Sequence, residues 1–377
     1  MWVEGKIENR DEAPKRTAWV HLTLGTVTPK EQADVTIRIK TITGDLMAEK
    51  KVTLDATAEN EETVVKIPVD GAELWSPDSP TLYLADVALS SESGNHGWTE
   101  RFGFRKLEVV GTRFFLNNQP FFARGFGEAF VYPMTLISPP DRSAHIDHMR
   151  IIKKAGFTQT RMHTHCEIPE FFEAADEMGI LIQPELPYYN YWPGEAFSFN
   201  PLRELKELYR HYRRYTSFGF YSMGNEGCLG EELAKELYQW VKLNDPTRPA
   251  QHQSGSGVNN PENSDYVTTP LNIWERGTHD FHPLPFIAHE YMNLTVKLDP
   301  RLENLFTGAI ASPVSMDTFL SELADARLSR EWGDKCIRAA HALQAYYQKN
   351  GLEAARLDPE CDGYNFWNFV VFCQTST

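Results

Sequence analysis

Two stretches of the chain each run apolar and then close on a carboxylate. Phe220-Tyr221-Ser222-Met223-Gly224-Asn225-Glu226 ends in an amide and an acid, and Pro285-Phe286-Ile287-Ala288-His289-Glu290-Tyr291 delivers a second glutamate in the same way. Paired carboxyl groups suit the cleavage of an acetal, one protonating the leaving oxygen and the other attacking the anomeric carbon. Cleavage with retention needs about 5 to 5.5 Å between them. A single strand-end glutamate is as readily structural, held by Arg161 or Arg124; two at matched ends make a constellation.

Other candidates follow from spacing. His163 and His165 in an extended strand share a face, with Glu167 just beyond, but no third ligand stands nearby in sequence. They read as a pair of substrate-binding histidines, and no metal site is expected. By the same alternation His289 should turn away from Glu290, toward the helices or a neighbouring loop. No Gly-x-Ser-x-Gly elbow follows a strand, and Ser254-Gly255-Ser256-Gly257 reads as a flexible loop. No Gly-x-Gly-x-x-Gly stands between a strand and a helix, so nicotinamide chemistry is not implied and no cofactor is expected.

The elements that must position these groups change character along the chain. Up to about residue 108, short stretches such as Ala18 to Leu24 and Val35 to Ile39 alternate apolar and polar positions, as do Thr63 to Ile67, Thr81 to Leu89 and Thr99 to Phe104. Period-two patterning with turns between predicts six or seven strands of an immunoglobulin-like β-sandwich. Beyond Val110 short apolar strands at Phe121 to Gly127, Phe157 to His163, Ile180 to Leu186 and Gly219 to Asn225 are separated by amphipathic segments. Pro249 to Ser254, Asp265 to Thr269, Phe286 to Glu290 and Gly363 to Phe369 raise the count to eight, the number that closes a (β/α)8 TIM barrel, in which strand C-terminal ends carry catalysis. Helices are expected over Ala144 to Ala155, Pro169 to Met178 and Glu231 to Leu243, the first two closing on Gly156 and Gly179. The expected division is 1–108 for the sandwich and 109–377 for the barrel. Asn293 to Ser329 is expected to form a long connection over the barrel mouth, and too little chain follows Phe369 for a last outer helix.

Composition narrows the partners. At 377 residues the chain is long enough for two cores, and 41% hydrophobic with 24% charged residues is ordinary for a globular protein. A formal charge of −15 argues against nucleic acid and for a neutral or weakly charged substrate. No apolar run nears the ~20 residues that span a bilayer, and Met1 to Asp11 lacks the apolar core of a signal peptide, so a soluble chain with no membrane partner is expected. Its five cysteines show no CxxC spacing and read as free thiols. A homo-oligomer is compatible with all of this.

At the strand ends the sequence resembles glycoside hydrolase family 2 and its clan, whose barrels place Asn-Glu after strand four and Glu after strand seven. Glu73-Leu74-Trp75-Ser76-Pro77 and Phe102-Gly103-Phe104-Arg105 resemble the end of the family's sandwich, and Phe115 to Pro120 its entry into the barrel. Asp176 to Glu185 resembles its third-strand segment, and Gly363 to Trp367 its eighth. The resemblance implies a retaining glycosidase acting on a carbohydrate, with Glu226 as acid/base, Glu290 as nucleophile and Asn225 bonding the sugar 2-hydroxyl. It further implies Glu185 in the substrate pocket and Trp367 as a stacking platform, with Glu128, His163 and His165 completing the substrate-binding set. Gly125-Phe126-Gly127-Glu128 lacks the family's Asn and His-Glu, and Arg161 to His165 departs from its Arg-Thr-Ser-His, so the sugar is not fixed. Its nucleophile-orienting tyrosine has no clear counterpart near Thr269 to Trp274, leaving Tyr266 and Tyr291. Two alternatives remain: a carbohydrate-binding pseudoenzyme, and an endo-acting glycanase with the same glutamates.

Overall fold

The computed structural model describes the chain except for residues 9–14, 25–30, 56–61, 130–131, 133–134, 189–199, 227–229, 256–261, 272–282, 295, 297–298, 300–306, 309–313 and 368–377. Seven antiparallel strands come first among the described residues: β1 (Trp2–Glu8), β2 (Lys15–Thr23), β3 (Gln32–Thr41), β4 (Leu46–Asp55), β5 (Glu62–Pro68), β6 (Tyr83–Ser91) and β7 (Gly94–Phe102). They form two sheets, β1-β2-β5 and β4-β3-β6-β7. The alternation read from the sequence is the alternation of burial: in β3, Ala33, Val35, Ile37 and Ile39 point into a core shared with Val20, Val65, Ile67, Ala85 and Val87. Each valine or isoleucine among them removed from water contributes about 1.5–3 kcal/mol.

A small sheet of β8 (Leu107–Val110), β9 (Arg113–Leu116) and β10 (Gln119–Pro120) follows. Around it the sandwich is fastened to the rest by groups that neither part could satisfy alone. The Trp75 indole N–H, fully buried, donates to the Asp176 carbonyl at 2.8 Å, and Arg105 donates to the carbonyls of Thr216 and Phe218. Gly5 bridges to Phe104 so closely that a Cβ there would stand 2.4 Å from the Gly103 carbonyl oxygen.

Among the described residues eight parallel strands then follow in chain order: β11 (Ala123–Glu128), β12 (Gln159–Met162), β13 (Leu181–Pro184), β14 (Tyr221–Ser222), β15 (Ala250–Gln251), β16 (Val267–Thr269), β17 (Phe286–Tyr291) and β18 (Cys361–Trp367). Six pair continuously in the order β13-β12-β11-β18-β17-β16, and β14 pairs with β15. Bridges Ile182↔Phe218 and Glu185↔Ser222 tie β13 to the β14 segment, while Asp265 N–H to Ala250 O (2.7 Å) and Gly255 N–H to Thr268 O (3.1 Å) tie β15 to β16. A sandwich followed by a strongly curled parallel sheet is therefore the architecture.

The helices are α1 (Arg142–Lys154), α2 (Pro169–Met178), α3 (Pro201–Tyr212), α4 (Glu231–Asn244), α5 (Val314–Asp325) and α6 (Arg330–Leu357). α2 starts with proline in its first turn and stops at Gly179 (φ 72°), the left-handed cap expected from sequence; it turns Phe171, Phe172, Ala174 and Ala175 onto the sheet. Within the long connection anticipated after Asn293, α5 is described, and much of the remainder lies outside the described residues. Cys166, Cys336 and Cys361 are free thiols, and Cys228 and Cys373 lie outside the described residues. Among the described residues no helix is long and apolar enough to cross a membrane.

Candidate active site

Every one of the candidate residues lies at or just past a strand's C-terminal end, where a parallel sheet gathers side chains from several strands on one rim. Glu226 follows β14 and Glu290 sits near the end of β17. Both adopt left-handed backbone, φ 42° and 41°, which only a few per cent of non-glycine residues do and which clusters at functional sites. Glu226 Oε1 and Glu290 Oε1 each stand 3.6 Å from His289 Nε2, and the three residues offer ligand atoms all within 4.8 Å of one another. The two sequence-distant glutamates are thus brought together.

His289 does not turn away. Strand alternation fails here because pairing of β17 with β18 shifts register between Ala288 and Tyr291, and Glu290 lies at positive φ, so consecutive side chains reach the same cleft. The imidazole is 5% exposed. Gly255, at φ +74°, makes room for it, since a Cβ there would be 2.4 Å from Nε2. Burial, aided by the nearby Arg161 charge, lowers its pKa from 6.5 to about 3. The folded protein therefore keeps His289 neutral where the unfolded chain protonates it, so stability falls as pH drops from 6.5 toward 3. His289→Asn is expected to flatten the acid side of a melting-temperature profile in that window; an unchanged acid slope would show that His289 is not the group responsible.

Beneath the two glutamates lies a charge network centred on Arg161, at the end of β12 and wholly buried. Its guanidinium grips Glu185 with two donors (Nε to Oε1 2.7 Å, Nη2 to Oε2 3.1 Å), and donates from Nη1 to Glu290 Oε1 (3.0 Å) and from Nη2 to Asn225 Oδ1 (2.6 Å). A guanidinium only donates, so it fixes the Asn225 amide with its oxygen toward Arg161 and its nitrogen toward His163 Nε2 at 3.3 Å. His163 in turn meets the Trp367 ring edge-on at 5.3 Å. Burial, then the Arg161 charge, lowers the His163 pKa. Gly127 admits Trp367, because a Cβ there would lie 2.3 Å from its ring.

The remaining expectations separate. Glu185 is fully buried under the cleft, held by Arg161, Ser254 Oγ and Gln183, rather than lining the pocket wall. His163 and His165 are not a pair: β12 ends at Met162, and past it His165 leans to Glu167 (3.4 Å) while His163 faces Asn225. Glu128 is buried, and its carbonyl accepts from His163 N–H at 3.0 Å. Tyr266 and Tyr291 spend their hydroxyls on the carbonyls of Tyr221 and Gly351, and Asn272 to Trp274 lie outside the described residues. Arg161 and Ser254 were missed as site residues. The signal for Arg161 was a charged residue inside a strand that a parallel sheet must bury; Ser254, fully buried, offered none within its Ser-Gly-Ser-Gly run.

Comparison with known proteins adds a partial family match and a shared fold. The model of glycosyl hydrolases family 2 matches residues 6–105. A β-galactosidase of Leuconostoc mesenteroides subsp. mesenteroides is 28% identical over 222 residues, covering 55% of this chain and 21% of that protein, so the matched stretch spans about a fifth of the relative's length. A solved structure of a glycosyl hydrolase family 2 member from Bacteroides cellulosilyticus covers 97% of this chain and 45% of its own at TM-score 0.69 and 15% identity. A family 2 β-galacturonidase from Eisenbergiella tayi, bound to galacturonate, covers 98% and 64% at TM-score 0.68 and 18% identity. These two show a shared fold. Residues 6–105 thus match that family's model, and the chain as a whole shares the fold of these two family members.

Proposed function

We propose that the chain is a retaining glycosidase acting on a carbohydrate, with its curled sheet forming a (β/α)8 barrel after a sandwich that ends near residue 108. The observation that carries the reading is the approach of Glu226 and Glu290, one carboxylate oxygen of each lying within 4.8 Å of the other's. Double displacement needs carboxyl groups about 5 to 5.5 Å apart, while inversion needs roughly 6.5–9.5 Å to seat a water. Glu290 receives an N–H from Arg161, as suits a carboxylate that attacks as an anion. No lysine or arginine pairs with Glu226 among the described residues, and its side chain is 41% exposed, as suits a group that delivers a proton to the leaving oxygen and later takes one from water. Asn225 presents its amide beside the pair, and Trp367 supplies an aromatic wall near His163. No cofactor takes part in these steps.

The test is an aryl-glycoside panel including galactosides and galacturonides, followed by the matching activated 2-fluoro glycoside and peptide mass spectrometry. A covalent adduct on Glu290 is expected. Sugar binding without turnover or labelling would replace this reading with a carbohydrate-binding pseudoenzyme.

A further inference from the structure

A buried histidine whose ring nitrogens bond no protein group is costly, because each lone polar atom forfeits its hydration. His289 is such a residue among the described ones: 5% exposed, with neither ring nitrogen hydrogen-bonded to another described residue, and with Nε2 held 3.6 Å from an oxygen of each candidate carboxylate. We propose that Glu226, His289 and Glu290 bind one divalent ion of the zinc class, in competition with the sugar.

The spacing fits. Zinc bonds nitrogen at about 2.0–2.1 Å and carboxylate oxygen at about 2.0–2.2 Å, so ligand atoms around a tetrahedral ion lie roughly 3.4 Å apart. Both histidine-to-glutamate spacings are already 3.6 Å, and all three ligand atoms fall within 4.8 Å. Glu226, with its side chain 41% exposed, closes the remaining gap by rotation. Three protein ligands leave the fourth position to water.

Charge and chemistry agree. Glu185 and Glu290 share one guanidinium, Arg161, and Glu226 stands beside His289 with no cationic partner among the described residues, so the three carboxylates carry a formal excess of two negative charges that a divalent ion cancels. Arg161 repels the ion, yet it also fixes Glu290 by a 3.0 Å hydrogen bond, the kind of outer contact that orients metal-bound carboxylates. An imidazole in the set selects zinc-like ions over magnesium or calcium, which prefer six or more oxygens. The sequence showed no such site because strand alternation sent His289 to the wrong side.

Binding itself follows from the geometry alone; its inhibitory consequence rests on the reading of Glu226 and Glu290 as the reacting pair. Zinc chloride is titrated by calorimetry into the full chain, freed of metal, at neutral pH, with magnesium chloride in parallel. One zinc per chain is expected, weakened about tenfold or more in both His289→Asn and Glu226→Gln, with no magnesium binding at the same concentration. Melting curves verify that both variants fold, and the exposed Glu226 position keeps the test open should His289→Asn unfold. Zinc should also raise the apparent KM for an aryl glycoside without changing kcat. No stoichiometric heat, or full affinity in both variants, overturns the site. Stoichiometric zinc without any glycoside turnover would sink the hydrolase reading and leave the metal site standing, whereas turnover with no zinc uptake does the reverse.

Discussion

Glu290→Ala is expected to lower kcat on an aryl glycoside by roughly 10⁴-fold or more, since removing a nucleophile in hydrolases costs at least that order. Glu226→Ala should cost about 10²–10⁴-fold, the usual range for a lost general acid or base. The stereochemistry of rescue by sodium azide tells the two apart. Without Glu290, azide enters the vacated space and attacks the anomeric carbon from that face, giving a glycosyl azide of inverted configuration. In the Glu226 variant Glu290 still forms the glycosyl ester, and azide then displaces it, giving a product of retained configuration. One oxygen of each glutamate lies within 4.8 Å of the other's, nearer the about 5–5.5 Å of retaining pairs than the roughly 6.5–9.5 Å of inverting ones. Inverted azide product from the Glu226 variant, or retained product from the Glu290 variant, would exchange the roles; no rescue and a loss below tenfold in both would remove the pair from the chemistry.

The sandwich and the two glutamates were legible because their signals are local. Period-two burial in β3 is printed in its sequence, and Asn225-Glu226 and Glu290 each end an apolar run. Strand limits were less so. Pro249 to Ser254 reads as a six-residue strand, yet β15 pairs only over Ala250–Gln251, because the stretch is buried throughout without alternation and so does not mark where ladder pairing stops. His289 was misplaced for a sharper reason. Alternation assumes regular pairing, and the register shift with a left-handed Glu290 is imposed by β18 packing alongside, which one strand's sequence does not announce. The split of His163 from His165 is the same failure three strands away in the sheet, where β12 stops at Met162. Arg161 was visible as a charge in a strand the sheet must bury, but its partners Glu185, Asn225 and Glu290 come from three other segments, and only tertiary closure brings them to one guanidinium.

That convergence makes Arg161→Met the second large effect, this time on stability. The substitution strands Glu185, whose side chain is fully buried and would keep only Ser254 and Gln183 as donors. Breaking a buried pair from one side costs about 3–5 kcal/mol, which a urea midpoint measurement resolves. Activity should also collapse, because Glu290 and the Asn225 amide lose the donor that orients them. Arg161→Lys keeps the charge and gives up the fork. A point ammonium cannot hold two oxygens of Glu185 while reaching Glu290 and Asn225, so partial stability with poor turnover is expected. The double variant Arg161→Met/Glu185→Met separates the two roles. Replacing both buried charges by apolar groups of similar size is often neutral, so stability should return most of the way. Turnover should not return, since nothing then steadies Glu290. Recovery of both together would mean that Arg161 serves only to neutralise Glu185, and that Glu290 and Asn225 hold their places without it.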